Sequence, residues 1–320
     1  MYKPSMLLSL LVLFVSDTFA TPFKPQARQI YAFPDNATFI ENVAVRPNGH
    51  ILLGTFSNGS LFSLNPDTRT PEAELVAKLP GVGALVGIAE IAPDVFAVGG
   101  GDLLPEGFGF VNGSMKVYTV DVKKKKVKVA ASLPAATGLN GITPLPGHPG
   151  VVLAAESVAG QILRINTATG RIDVAIADTQ LGPSSDPAIV PLGVNGIKVS
   201  NGYLYFTNSG LGFFGRIKIT ASGERAGQVE RITSIENPGF THAFDDFVFG
   251  SGLTPDAYVA LHPNSIQRIA ADGEQTLFVG GDGSNLMPYP GPTSVALSRD
   301  GRKIYIVTGL GQVVEATLPK

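Results

Sequence analysis

The 320 residues carry a formal charge of −2, with 44% hydrophobic and 16% charged side chains and no cysteine. That is apolar material enough for a packed core, and near-neutrality gives no electrostatic reason to expect nucleic acid or an anionic membrane as partner. Zero Cys excludes disulfides, thiol catalysis and zinc-thiolate sites, and 38 Gly and 24 Pro among many Val, Ile and Phe favour short strands joined by tight turns.

The chain opens with Lys3, an apolar run from Met6 to Val15 and the small-x-small triplet Thr18-Phe19-Ala20. This reads as a signal peptide over residues 1–20, cleaved after Ala20, and it sends residues 21–320 into the secretory pathway or outside the cell. No later segment reaches the about 20 apolar residues that a membrane helix needs. Asn36, Asn58 and Asn112 each open an Asn-x-Ser/Thr sequon, a glycosylation acceptor in that compartment.

From there one pattern recurs. Glu41-Asn42-Val43, Val86-Gly87-Ile88, Asn140-Gly141-Ile142, Asn195-Gly196-Ile197, Asp245-Asp246-Phe247 and Thr293-Ser294-Val295 follow one another at intervals of 45 to 55 residues, close to the period of a four-stranded propeller blade. Each triplet opens an apolar strand that ends in a turn such as Asn48-Gly49, Asn201-Gly202 or Asp300-Gly301, and a second strand follows, as in Tyr203 to Thr207. Third and fourth strands are predicted after most copies, but the sixth has no room for a fourth. The spare strand Arg28 to Phe33 can supply it. The expectation is an all-β fold, a single six-bladed β-propeller closed by its N-terminal strand.

In a propeller the innermost strand of each blade starts at one mouth of the central channel, so Glu41, Val86, Asn140, Asn195, Asp245 and Thr293 should ring that mouth. Carboxylate and amide oxygens form the ligand set of a hard cation such as calcium; the alternative is that these residues cap turns. The loops from second to third strands open on the same face. They bring Asn208, Phe213, Phe214 and the long segment Gly99 to Val111, with Phe108 and Phe110, to an apolar wall or lid, or else into packing between blades. His242 and His262 are candidates for proton transfer or structural hydrogen bonding. Glu90 either lines the channel with a raised pKa or pairs with Lys198 or another base. Gly99-Gly100-Gly101 precedes no helix and is no phosphate cradle, Lys123 to Lys126 reads as a solvated hairpin tip, and no Gly-x-Ser-x-Gly elbow is present.

With Glu41, Asn140, Asn195 and Asp245 at inner-strand starts, the repeat resembles the gluconolactonase and senescence-marker-type six-bladed propellers. That resemblance implies a divalent metal, such as calcium, on Glu41, Asn195 and Asp245, with Asn140 as a further substrate-binding amide, and it implies lactonase activity. Glu41 lacks the family's Gly-Glu-Gly-Pro setting, and Asp246 stands where the family has Gly. Over nearly the whole mature chain, the runs Ile40 to Gly49, Gly87 to Ile91 with Pro93 to Val98, Leu139 to Ile142, Asn195 to Ile197 and Asp245 to Phe247 look like a fungal group of secreted lactonase-like propellers that includes hetero-Diels-Alderases of natural-product biosynthesis. This second likeness implies small apolar polyketide or terpenoid substrates, a quinone-methide-type heterodiene joined to an alkene, and no required cofactor.

Overall fold

The computed structural model describes residues 25–34, 38–106, 109–253, 255–281 and 291–319. The signal peptide with its cleavage point, the sequon residue Asn36 and the wall residue Phe108 lie outside the described residues.

Strand β1 (Ala27–Ala32) precedes the first blade, which holds β2 (Ile40–Val45), β3 (Ile51–Thr55), β4 (Ser60–Leu64) and β5 (Ala73–Lys78). Blade 2 consists of β6 (Ala84–Ala92), β7 (Val95–Gly101), β8 (Lys116–Asp121) and β9 (Lys126–Ser132), and blade 3 of β10 (Leu139–Pro144), β11 (Val151–Glu156), β12 (Gln161–Asn166) and β13 (Ile172–Ala177). Blade 4 follows with β14 (Val194–Ser200), β15 (Tyr203–Asn208), β16 (Phe213–Ile219) and β17 (Arg225–Ser234), then blade 5 with β18 (Phe244–Phe249), β19 (Ala257–Leu261), β20 (Ser265–Ile269) and β21 (Gln275–Gly280). In blade 6, β22 (Pro292–Leu297), β23 (Lys303–Thr308) and β24 (Gln312–Thr317) take β1 as outermost strand, antiparallel to β24. The expected six blades and their closure by the N-terminal strand are both present.

There is no single central core. Six clusters of buried apolar side chains occupy the six seams, each drawn from the facing sheets of two neighbouring blades. This follows from strand geometry: alternate side chains point to opposite faces of a blade, and each face needs an apolar partner. Phe213 and Phe214 are successive residues of β16, and accordingly one enters the seam of blades 3 and 4 and the other the seam of blades 4 and 5.

At the start of every innermost strand the register with its neighbour shifts, and the shift falls on the repeated triplet each time: between Ile40 and Asn42, Leu85 and Ile88, Leu139 and Ile142, Val194 and Ile197, Phe244 and Phe247, and Pro292 and Ser294. A bulge re-aims side chains that a regular strand would send into a seam. Here it presents the first triplet residue at the upper mouth.

The second triplet residue explains why Gly recurs. A Cβ on Gly141 would lie 2.6 Å from the carbonyl oxygen of Asn195, one on Gly87 2.6 Å from the nitrogen of Ile142, and one on Gly196 2.6 Å from the Cα of Asp246, so the inner strands touch backbone to backbone there. On the opposite half of the ring the same position carries Asn42, Asp246 and Ser294, whose side chains bond to one another. Ser294 Oγ donates to Asp246 Oδ2 at 2.8 Å, and Asn42 Nδ2 donates to the same oxygen at 3.3 Å. Asp246 in place of Gly is therefore part of a polar plug across the channel, with Lys198 Nζ donating to its Oδ1 at 2.7 Å from below. A Gly141→Ala chain is expected to lose about 1–3 kcal/mol through backbone displacement, read by urea unfolding; unchanged stability would contradict the close approach.

Candidate functional site

Above the plug lies a cavity of about 620 Å³. Five of the six ring residues line it: Glu41, Val86, Asn140, Asn195 and Asp245. The sixth, Thr293, is buried, and its Oγ1 donates to the carbonyl of Ile40 at 2.7 Å, tying blade 6 to blade 1.

The polar floor is uneven in charge. Asp245 Oδ2 lies 3.0 Å from Nε2 of His262, which directly follows the second strand of the same blade. Burial raises the Asp245 pKa, and the hydrogen bond and charge of His262 pull it back. Among the described residues Glu41 has no such partner. Desolvation, then the charges of Asp245 and Asp246, hold its pKa well above the ordinary carboxylate range, so burial favours the protonated form of Glu41. Asn195 is 3% exposed; its Nδ2 donates to Ser209 Oγ at 3.0 Å, while its Oδ1 is buried with no hydrogen-bond partner among the described residues. A buried amide oxygen left unmatched is an acceptor waiting for a donor or a cation.

The walls are apolar and sort by blade. Phe39 and Phe56 stack with centroids 4.7 Å apart on the blade 1 side, and Phe110 of blade 2 meets Phe56 edge-on at 6.3 Å. Leu103 and Leu104 extend this side, Leu139, Val158, Val190 and Leu192 make the blade 3 and 4 side, and Phe240 and Phe244 complete the circuit. No Lys or Arg lines the cavity among the described residues. Among the described residues two carboxyls and one imidazole are its ionisable groups, so the site disfavours anionic ligands and favours neutral or electron-poor ones.

Several sequence-predicted residues lie elsewhere. Glu90 stands four residues beyond Val86 on β6, about 13 Å along the strand, and so reaches the opposite mouth, where Arg299 Nη2 meets it at 2.6 Å and the Asp94 amide donates to it. It pairs with Arg299 and not with Lys198. Phe213 and Phe214 are buried in seams; Phe213 packs edge-on against Phe206 and Phe214 edge-on against Phe247, so neither forms the wall. Asn208 is buried, and its Nδ2 donates to the carbonyls of Gln180 and Gly182, both at 2.9 Å. His242 is half-buried beside the Asn237 carbonyl, outside the lining. Asn58 and Asn112 are exposed in turns. Phe39, Val158, Val190, Leu192 and Phe240 were not singled out from sequence, since they sit in irregular connections without periodicity.

As for a metal, among the described residues no three His, Asp or Glu side chains are gathered as a ligand cluster. The oxygens of Glu41, Asp245 and the unmatched Asn195 amide nonetheless form a donor set of the kind a hard cation accepts.

No family model matches the chain. The chain is 25% identical to a protein of Sarocladium schorii whose name assigns it provisionally as a hetero-Diels-Alderase, over 92% of this chain and 80% of that protein. A protein of a Phoma species with the same provisional assignment is also 25% identical, over 91% and 89%. Among solved structures, the calcium-binding protein regucalcin from Agrobacterium tumefaciens superposes with a TM-score of 0.65 at 17% identity, covering 92% of this chain and 95% of that one. A protein provisionally assigned as a gluconolactonase gives 0.66 at 12% identity, over 92% and 93%, and virginiamycin B lyase from Staphylococcus aureus gives 0.57 at 16%, over 92% and 100%. These structural likenesses establish the shared propeller fold.

Proposed function

We propose that the chain is a secreted enzyme of hetero-Diels-Alderase type, which orients a quinone-methide-like heterodiene and an apolar alkene in the upper mouth. The observation that carries this reading is an apolar cavity of about 620 Å³ with a buried carboxyl of raised pKa on its floor and, among the described residues, no Lys or Arg in its lining. The 25% identity to two proteins provisionally assigned that activity supports it.

The heterodiene forms by loss of water from a hydroxymethyl precursor bearing an acidic O–H. Glu41 donates its proton to the departing hydroxyl, which leaves as water, and the acidic O–H gives its proton to the Asp245–His262 pair. Return of that proton to Glu41 resets the site. In the cycloaddition itself one C–C and one C–O σ bond form as two π bonds are consumed, and no atom is lost. The protein's contribution there is orientation: fixing two partners in a near-attack pose lowers the barrier by about several kcal/mol. The Asn140 amide, and a substrate donor matched to Asn195 Oδ1, fix which face reacts.

The test mixes a 2-(hydroxymethyl)-1-naphthol with a cyclic sesquiterpene alkene and measures the isomer ratio by chiral chromatography with and without protein. Enrichment of one isomer is expected; a ratio identical to that in buffer would sink the proposal.

A second reading, a metal-dependent lactonase, is favoured by one observation, the unmatched Asn195 Oδ1 beside two carboxyls. Glu41, Asn195 and Asp245 would hold the cation, which would supply Lewis-acid polarisation of a carbonyl. On this reading millimolar calcium raises the melting temperature of the wild type and not of Glu41→Gln; on the first it raises neither.

A further inference from the structure

In five of the six blades the last residue of the second strand sits at one equivalent register position. Thr55, Glu156, Asn208, Leu261 and Thr308 pair with Ile40, Leu139, Val194, Phe244 and Pro292 respectively, each at the start of the blade's inner strand. Where this position is polar it closes the following turn: Thr55 Oγ1 donates to the Ser60 carbonyl at 2.8 Å, and the Leu211 amide donates to Asn208 Oδ1 at 2.8 Å. Glu156 does this through the Ala159 amide and then does more. Its Oε1 also accepts from the amides of Thr137 at 2.9 Å and Gly138 at 2.8 Å, and from Thr137 Oγ1 at 3.3 Å.

Glu156 is thus a carboxyl only 2% exposed that is held by backbone N–H groups and a hydroxyl, with no Lys or Arg side chain among the described residues bonded to it. Those donors belong to the two segments that make the blade 3 wall of the cavity, with Thr137, Gly138, Leu139 and Asn140 on one and Val158 on the other. The segments are in tight contact, since a Cβ on Gly138 would lie 2.7 Å from Val158 Cγ2. The next residue carries the connection onward. The Ser157 amide donates to the Gly138 carbonyl at 2.8 Å, the Gly193 amide donates to the Ser157 carbonyl at 2.9 Å, and Ser157 Oγ donates to the carbonyl of Val194, which precedes Asn195.

We infer that Glu156 is a positioning residue: by gathering the Thr137, Gly138 and Ala159 amides it fixes the blade 3 wall and, through Ser157, sets Asn140 and Asn195 in register on adjacent inner strands. Four converging donors need an acceptor with several lone pairs, and the two oxygens of a carboxyl side chain supply them where an amide, with one oxygen, cannot. In Glu156→Gln one oxygen becomes an NH₂ group facing an N–H, and the buried donors lose their match.

The test compares wild type with Glu156→Gln and Glu156→Asp by residue-resolved hydrogen exchange and by fluorescence titration with the neutral apolar dye N-phenyl-1-naphthylamine. In Glu156→Gln the Thr137, Gly138 and Ala159 amides should exchange faster and dye affinity should fall, each by about tenfold, the counterpart of one buried donor left unmatched. Glu156→Asp, which keeps both carboxyl oxygens on a shorter stem, should recover part of both, and should carry the comparison if the Gln variant does not fold. Amides of β18 to β20 should exchange as in wild type. Unchanged exchange at the three amides with unchanged dye affinity would overturn the inference, and so would exchange accelerated equally in all six blades, which marks loss of stability alone.

Discussion

Glu41→Gln is expected to cut the rate of product formation by about 10²–10⁴-fold, the range of a positioned general acid, while leaving the propeller folded. The same change should raise stability at neutral pH. An acid whose pKa is raised by folding binds its proton more tightly in the native state, so native stability falls as pH climbs from the unfolded value of about 4.3 to the higher native value, and the penalty is complete above the latter. Gln cannot ionise, so the variant should lose that downward slope. Below the unfolded pKa the two proteins should be equally stable, both being neutral there. Urea unfolding between pH 4 and pH 8 with parallel rate measurements checks both halves. Retained activity would remove Glu41 from the role of acid, and an unchanged slope would remove the buried, protonated carboxyl.

Asp246→Ala is expected to have the second largest effect, on both stability and chemistry. Its carboxylate accepts from Ser294, Asn42 and Lys198, so truncation strands two buried polar groups and removes the counter-charge of a lysine. Losing a partner from such a network costs about 3–5 kcal/mol when fully buried. With Lys198 28% exposed, we expect about 2–4 kcal/mol. The Asp246 charge is also one cause of the raised Glu41 pKa. Activity that needs protonated Glu41 declines as pH rises through that pKa, so in the variant the decline should begin at lower pH. A pH–rate profile separates the effects, because a mere loss of stability lowers its height without moving its limb.

The sequence displays its ring clearly because each blade must bring one strand to the axis, and the triplet recurs wherever that happens. Glu41, Asn140, Asn195 and Asp245 are legible as mouth residues on that ground alone. What repetition does not carry is less legible. Glu90 shares a strand with Val86, and only the direction of that strand, not its composition, places it at the other mouth beside Arg299. Phe213 and Phe214 follow a strand end as a wall residue would, yet in a fold whose apolar mass lies in six seams a side chain on β16 is claimed by packing first. The true wall draws Val190, Leu192 and Phe240 from long connections whose course depends on bonds such as Asn208 to Gln180 and Gly182. Asp246, a departure from the family pattern when read alone, gains its meaning only beside Asn42 and Ser294, which lie 204 and 48 residues away in sequence.

The pairing of β1 with β24 has a consequence for how the molecule is made. Arg28 finds Glu315 across 287 residues of chain. On the ribosome, blades 1 to 5 can each assemble as they emerge, but β1 has no partner until β24 is synthesised, and through that interval both exposed edges are templates for another chain. Newly made protein should therefore be most vulnerable to aggregation, and most in need of a chaperone, just before the ring closes.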